Sequence, residues 1–300
     1  VLEENNIATP QIFENTLNLN GYQFFVQIRE NLATCYTASK AIRLKFEKTI
    51  WNGSSWSPTL PNTNTIVVLD QNYTTSSITG SFSACSLLVN SGYLLNITDD
   101  HYVEVINDVL INGNSPSNFG QLTVETKGAF IQRGDATAAG TFTLVNSGAS
   151  HVKKQTPLKQ KWYDYTYWSS PVVDETVESA LSVASPSRRF YYEAANYFDG
   201  NSDGIDDNGD DWLLAIGIMS PGRGYAATSS ATGAPFPRTD ATLFKGKFNT
   251  GDIPVTIHTN SNPTDIDWNF IGNPYPSGID FKLVHSTNMN VIDGAAYLWS

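Results

Sequence analysis

The sequence predicts an all-β protein built from consecutive modules: the last strands of a β-sandwich, a short parallel β-helix or solenoid, and a third, sandwich-like β module. Three observations carry this prediction. Only 16% of the 300 residues are charged while 12% are aromatic, and helix formers are scarce beside Asn, Thr, Ser and Gly, which favours strands and turns. Several short segments alternate between apolar and polar residues. A phrase made of one short strand, a polar turn and Gly recurs along the middle of the chain.

Residues 1–48 contain two alternating segments, 22–28 and 42–46, separated by turn-forming residues. This pattern predicts a β-hairpin. The stretch from residue 27 to residue 37 resembles the closing strands of the immunoglobulin-like repeats in large bacterial surface proteins. That resemblance implies that residues 1–48 are the C-terminal strands of an Ig-like β domain.

Residues 49–63 are predicted to be a junction rich in Trp, Gly and Pro, because turn formers gather there between two alternating segments. We expect the two indole rings, Trp51 and Trp56, to cap the open end of a hydrophobic core.

Residues 64–155 are predicted to form a β-solenoid with coils of about 20 residues. The repeated phrase occurs at 87–92, 122–128 and 143–148, and we expect the three copies to stack as parallel neighbours. One coil cannot bury its own apolar face, so neighbouring coils must cover it. An antiparallel sandwich is the alternative for this region.

Residues 156–300 form the third predicted module, in which aromatic residues are dense and loops are long. The predicted strands are 163–168, 190–192, 212–218, 243–248, 255–258 and 268–271. Only residues 175–184 have a helix-like composition.

The most distinctive motif is the segment 199–211, in which six of thirteen residues are Asp. Acidic and amide side chains at alternate positions direct oxygens into one turn, and Ca²⁺ takes about six to eight oxygen ligands. The segment resembles the calcium loops of thrombospondin type 3 repeats and, more distantly, those of EF-hands and dockerins. The resemblance implies one structural Ca²⁺, bound by the carbonyl of Ile205 and by the side chains of Asp199, Asn201, Asp203, Asp207 and Asp210. A solvated acidic loop without metal is the alternative.

No catalytic residues are predicted, and we expect this region not to be an enzyme. The sequence has no nucleophile elbow and no phosphate-binding glycine loop, and its four histidines lack zinc-site spacing: His101, His151, His258 and His285. The carboxylates Asp99, Asp100 and Glu104 lie at a predicted turn and strand edge without a basic cluster. Cys35 and Cys85 fall in different predicted modules, so their pairing stays open.

The third module carries a set of motifs in a fixed order: 165–171, 219–225, 244–251, 268–280 and 296–299. This order resembles that of large secreted and surface proteins of Bacteroidetes, especially flavobacteria, which are exported by the type IX secretion system. The resemblance implies an extracellular or outer-membrane-surface location and contact with the secretion machinery during export. It also implies the adhesin-like or gliding-associated roles of such proteins.

These features together predict a non-catalytic structural or adhesive region of a large bacterial cell-surface or secreted protein, rigidified by calcium. Surface glycans and other surface proteins are the expected partners. The net charge of −11 leaves no basic stripe for nucleic acid. No apolar run reaches the length of a membrane-spanning helix. Because the chain starts without Met and stops after the apolar run 295–299, we expect it to be part of a longer protein.

Two other functions stay open. One is a carbohydrate-binding module in which Trp162, Tyr163 and Trp168 stack on sugar rings. The other is an accessory region of a secreted enzyme that degrades polysaccharides.

Overall fold

The computed structural model describes residues 23–25, 27–28, 37–43, 47–115, 117–134, 140–203, 205–259 and 268–297. Within these residues the chain forms seven β-sheets and two short α-helices, which confirms the all-β class. None of the helices in this part of the chain is long and apolar enough to cross a membrane.

The strands and helices have the following bounds. The first strands are β1 (Gln23–Phe24), β2 (Gln27–Ile28), β3 (Thr37–Ala38), β4 (Ile42–Arg43), β5 (Glu47–Trp51) and β6 (Trp56–Ser57). The middle strands are β7 (Thr65–Leu69), β8 (Tyr73–Thr74), β9 (Phe82–Ala84), β10 (Ser86–Val89), β11 (Leu94–Ile97), β12 (Tyr102–Val105), β13 (Val109–Ile111), β14 (Gly113–Ser115), β15 (Asn118–Phe119), β16 (Gln121–Val124), β17 (Ala129–Gln132), β18 (Phe142–Leu144) and β19 (Ser150–Gln155). The last elements are β20 (Thr166–Trp168), α1 (Val177–Ala180), β21 (Arg189–Tyr192), β22 (Trp212–Leu214), β23 (Tyr225–Ala227), β24 (Ala241–Lys245) and α2 (Phe281–Asn288).

The first four strands form a nested hairpin. Strand β1 pairs antiparallel with β4, and β2 pairs antiparallel with β3. The hairpin predicted within residues 1–48 is therefore confirmed in the part that is described. Cys35 and the rest of the proposed Ig-like domain lie outside the described residues.

Three parallel sheets make up the predicted solenoid, and the coils that begin at β7, β10 and β13 each contribute one strand to each sheet. The first sheet contains β5, β7, β10, β13 and β18, the second contains β8, β11, β16 and β19, and the third contains β9, β12 and β17. Val67, Leu87, Val109 and Phe142 are paired one above the other, so successive coils are 20, 22 and 33 residues long. The antiparallel-sandwich alternative is wrong for this region.

The prediction that the three repeated phrases stack as parallel neighbours is wrong, because no two of them are adjacent in a sheet. Residues 87–92 and 143–148 begin in β10 and β18 of the first sheet, with β13 between them. Residues 122–128 begin in β16, which belongs to the second sheet and pairs with β11 and β19. The phrase recurs because each corner of a coil needs a short strand followed by a turn, whichever sheet that strand belongs to.

The predicted junction belongs to the solenoid. Strands β5 and β6 extend the first sheet, and the rings of Trp51 and Trp56 pack at 5.2 Å between centroids. Tyr73 and Phe82 complete the cluster, with centroid distances of 4.9 to 5.4 Å. The indole nitrogen of Trp51 also donates to the carbonyl of Asn72 at 2.9 Å. The prediction that the indoles cap the core is confirmed, since buried aromatic rings close this end of the stack.

The third module packs against the other end of the solenoid. Its own sheet has the order β20-β23-β21-β22, whereas β24 pairs antiparallel with β19 and so continues the second solenoid sheet. Phe248 packs against Phe130 and Phe142 of the last coils at 5.5 and 5.0 Å between ring centroids. Within the described residues the third module therefore has one sheet of its own and not the two packed sheets of the predicted sandwich-like module. This sheet closes the coil stack, and the two regions share one hydrophobic core.

Several predicted elements of this module differ from the structure. No strand forms at 255–258, and at 268–271 only Ile271 makes an isolated bridge, to Arg223. Helix α2 was not expected. None of its residues is buried. The sequence therefore has no stripe of core-facing apolar residues that would predict an amphipathic helix.

Glycine is required at positions where neighbouring coils approach each other closely. A Cβ on Gly128 would lie 2.6 Å from the carbonyl oxygen of Ile97 in the preceding coil. A Cβ on Gly120 would lie 2.7 Å from the carbonyl oxygen of Val89. Both distances are too short for real contacts, so any side chain here would push two coils apart.

Gly128→Ala is therefore expected to lower the free energy of unfolding by about 1–3 kcal/mol, because the added methyl group overpacks the contact between coils. Gly278→Ala is the matched control, since a Cβ there would contact nothing, and its effect should stay within about 0.5 kcal/mol. Chemical denaturation of both variants checks this. Equal stabilities would contradict the packing argument.

Candidate functional site

The Asp-rich loop connects two paired strands of the third module. The strands β21 and β22 are antiparallel neighbours, and the pairing continues where the Glu193 amide donates to the carbonyl of Asp211 at 2.8 Å. Further along, the Asp207 amide donates to the carbonyl of Phe198, also at 2.8 Å. The loop therefore folds back on itself instead of extending into solvent.

Five of the six predicted calcium ligands are linked in one hydrogen-bonded group. The backbone amide of Asp203 donates to Oδ1 of Asn201 at 2.9 Å and to Oδ1 of Asp199 at 3.2 Å. The amide of Ile205 donates to Oδ1 of Asp203 at 2.9 Å, and the side-chain amide of Asn201 donates to Oδ1 of Asp207 at 3.2 Å. Side-chain oxygens from alternate positions thus turn inward, as the spacing predicts.

Asp210 is not linked to this group. Its amide donates to Oδ1 of Asn208 at 3.2 Å and its carbonyl accepts from the side chain of Asn196 at 3.0 Å. Across the described residues, no cluster of three or more His, Cys, Asp or Glu side chains is arranged to hold a metal ion. The carboxylates of the loop instead accept hydrogen bonds from backbone amides. For example, Oδ2 of Asp207 accepts from the Gly200 amide at 2.8 Å.

Two acidic residues that the sequence analysis left out organise the other side of the loop. Asp206 accepts from the amides of Phe198, at 3.0 Å, and Gly209. Asp211 is only 7% exposed, and its Oδ1 has no hydrogen-bond partner within the described residues. In a run with adjacent acidic residues, sequence spacing does not tell which one turns inward, so no sequence signal singles out these two.

At the buried end of the loop, the pKa values of two side chains are raised. Burial raises the pKa of Asp211, and the charges of Asp206 and Asp210 raise it further. Burial also raises the pKa of the neighbouring Tyr192, with the charges of Asp211 and Asp206 acting in the same direction. Negative charge is therefore concentrated where solvent is excluded, a situation that a bound cation would relieve.

The carboxylates of Glu104 and Asp99 bond to residues of neighbouring coils. Oε2 of Glu104 accepts from the hydroxyl of Ser83 at 2.8 Å, and its Oε1 forms an ion pair with Arg133. These two hydrogen bonds lower the pKa of Glu104, and the one from Arg133 has the larger effect. Oδ1 of Asp99 accepts from the amide of Lys127, one coil further on, at 2.8 Å. Each of these contacts has a structural role.

Two of the four histidines, His101 and His151, belong to the solenoid. Nδ1 of His101 lies 2.9 Å from the carbonyl oxygen of Asp99. Burial lowers the pKa of His151, and the charges of Lys245 and Lys153 lower it further. Both rings therefore sit in environments set by the solenoid backbone and by neighbouring lysines.

The aromatic residues proposed for sugar stacking lie in different environments. Trp168 is half-buried and packs against the core through Phe244, at 6.3 Å between ring centroids. Tyr163 is exposed, with the ammonium of Lys161 5.4 Å from its ring centroid. Trp162 is half-buried and forms one side of an open surface groove. The sequence did not associate Trp162 with the arginines of that groove, because they lie more than twenty residues away.

Asp211→Asn is expected to raise the free energy of unfolding at pH 7 in calcium-free buffer. The raised pKa means that the folded state disfavours the ionised carboxylate, so ionisation at neutral pH costs stability. As the pH falls through the raised pKa of Asp211 towards its ordinary value of 3.8, the difference between the two proteins should disappear.

Thermal denaturation of the wild type and Asp211→Asn between pH 4 and pH 7 measures this difference. Asp100→Asn is the control, because Asp100 is exposed and lies in the solenoid. A gain that is equally large at pH 4, or a gain in the control, would contradict the assignment.

Comparisons with known proteins agree with the boundary of the solenoid. Residues 46–300 match the family described as Domain of unknown function (DUF8693), and the match begins one residue before β5, the first strand of the coil stack. No curated protein and no solved structure matches the chain. Because the match spans most of the chain, this protein belongs to the family described as Domain of unknown function (DUF8693).

Proposed function

We propose that this region is a rigid, non-catalytic structural and adhesive part of a large bacterial cell-surface or secreted protein. The observation that carries the proposal is the continuous core shared by the coil stack and the module that follows it. Two modules joined by a flexible linker move independently, whereas two modules that share a core keep a fixed relative orientation.

The contacts at this seam support the idea of a spacer without a hinge. Strand β24 pairs over five residues with β19. The amide of Phe130 in the last coils donates to the carbonyl of Pro276 at 2.9 Å. Within the third module, the side chain of Asn249 donates to the carbonyls of Ser170 and Pro274 at 3.0 and 2.8 Å. Strand pairing, hydrogen bonds and buried rings thus hold the solenoid and the third module in a fixed arrangement.

The cellular setting belongs to the same proposal. The motif order that resembles type IX-exported proteins of Bacteroidetes supports an extracellular or outer-membrane-surface location. It also supports roles in adhesion or gliding, with other surface proteins and surface glycans as partners. A rigid spacer of stacked coils serves such a protein by holding a neighbouring module at a fixed distance from its anchor.

Calcium is the proposed structural cofactor of the Asp-rich loop. Asp199, Asn201, Asp203 and Asp207 would supply side-chain oxygens, since they already belong to one group. The carbonyl of Ile205 and the carboxylate of Asp210 complete the proposed ligand set. A bound Ca²⁺ would offset the repulsion among six aspartates and stiffen the connection between β21 and β22.

Carbohydrate binding is the second candidate function. The groove beside Trp162, which combines an aromatic ring with hydroxyl groups and a cation, is the observation that favours it.

Leu181→Ala tests the shared core. Leu181 lies just after α1 and is 3% exposed, so its truncation should lower the free energy of unfolding by about 2–5 kcal/mol. In calorimetry the solenoid and the third module should still unfold together, in one transition at lower temperature. Leu283→Ala, at a position that is 66% exposed, should change little. Two transitions, of which only one moves, would contradict the spacer proposal.

Calcium binding is tested by calorimetry on chelator-treated protein. When Ca²⁺ is added to about 100 times its dissociation constant, folding should gain about 2.7 kcal/mol. Asp203→Asn should lose most of this gain, whereas Asp100→Asn should keep it because Asp100 lies outside the loop. No calcium-dependent rise in the wild type, or an undiminished rise in Asp203→Asn, would refute the calcium site.

A further inference from the structure

An open groove lies on the surface of the third module, next to its four-stranded sheet. It has a volume of about 490 Å³ and is lined by Trp162, by the segment 182–189 and by the segment 229–232. Small-molecule sites occupy roughly 300–1,000 Å³. Half of the lining residues of the two segments carry hydroxyl groups, including Ser182 and Thr232. The size and lining suit a polar ligand with many hydroxyl groups.

Two arginines fix the walls of this groove. The guanidinium of Arg189 donates twice to the carbonyl of Ala184, at 3.1 and 2.6 Å. On the opposite wall, the guanidinium of Arg238 donates to the carbonyl of Ser230 at 3.0 Å and is held by Asp240 at 3.0 Å. The groove is therefore preorganised, which reduces the ordering cost of binding a ligand.

A third arginine is available to a ligand. Arg188 is exposed, its guanidinium lies 5.6 Å from the ring centroid of Trp162, and it forms no ion pair with a carboxylate in the described part of the chain. A guanidinium presents a rigid set of donors that matches a carboxylate. In a chain of net charge −11, this cation beside an indole is a local site for a negative group.

We propose that this groove binds a carboxylated saccharide. The carboxylate would pair with Arg188, the apolar face of the sugar ring would contact Trp162, and the ring hydroxyls would bond to serine and threonine hydroxyls of the groove. A neutral sugar would leave Arg188 unused, and a small anion would leave the indole and most of the groove unused. The proposal deepens the carbohydrate-binding candidate and does not depend on the spacer role.

Isothermal titration calorimetry on the whole chain tests the proposal with three probes: tetragalacturonate, neutral maltotetraose, and succinate, which has carboxylates but no ring. We expect tetragalacturonate to bind at least about tenfold more tightly than either of the others. Arg188→Gln and Trp162→Ala should each weaken tetragalacturonate binding by about tenfold or more, because a charge-assisted contact or a stacking surface is lost.

Matched controls come from side chains of the same module that do not line the groove. Arg223→Gln removes an arginine that stacks on Tyr191 and lies 3.4 Å from Glu193, and Trp212→Ala removes an exposed indole. Both should bind tetragalacturonate as the wild type does. Circular dichroism melting confirms that each variant folds, and Arg188→Gln carries the decision because its side chain is exposed.

Four results would overturn the proposal. They are an absence of tetragalacturonate binding up to about 10 mM, equal binding of maltotetraose, equal binding of succinate, and wild-type affinity in Arg188→Gln. None of these results bears on the shared core, so the spacer proposal would stand or fall by its own test.

Discussion

The stacking of one coil on the next is the constraint on which the rest of this structure depends. Inward-facing side chains such as Val67, Leu87 and Val109 are fully buried only because a neighbouring coil covers them above and below. A stack of this kind has two ends, and each end exposes an apolar layer unless something closes it. Both ends are closed in this protein, and how they are closed determines how the chain is organised.

The two closures differ in kind. At the first end, the chain folds the short strand β6 back on β5 and packs the two indoles against Tyr73 and Phe82 of the first coil. At the second end, an entire module takes this role through Phe248 and β24. The turn that contains Asn273 and Tyr275 holds the segment that follows Phe248, since the hydroxyl of Tyr275 donates to the carbonyl of Gly251 at 2.7 Å. Stability and rigidity therefore come from the same contacts, which is the physical basis of the proposed spacer role.

Much of this arrangement could be predicted from local patterns. Alternating segments and turn glycines indicate the strands, and an indole pair between two strand patterns indicates the cap. The spacing of oxygens in residues 199–207 indicates the inward-turned group, because it depends only on neighbours in sequence. The all-β class follows from composition and period alone.

Features that depend on long-range contacts could not be predicted in this way. The third coil has 33 residues because it contains the hairpin β14–β15 and the segment 133–140, and such insertions hide the period of a repeat. The burial of Asp211 depends on its packing near Tyr192. The groove combines Trp162 with Arg188, a pair that only the folding of the β20–β23 sheet brings together. No local pattern records these contacts.

Native-state hydrogen exchange tests the central claim of a single core most directly. If the coil stack and the third module form one cooperative unit, the slowest amides of β7–β19 and of β21–β24 should open with the same free energy. They should also respond to denaturant with the same slope. Two distinct opening free energies, one for the solenoid strands and a lower one for the strands of the third module, would contradict the account.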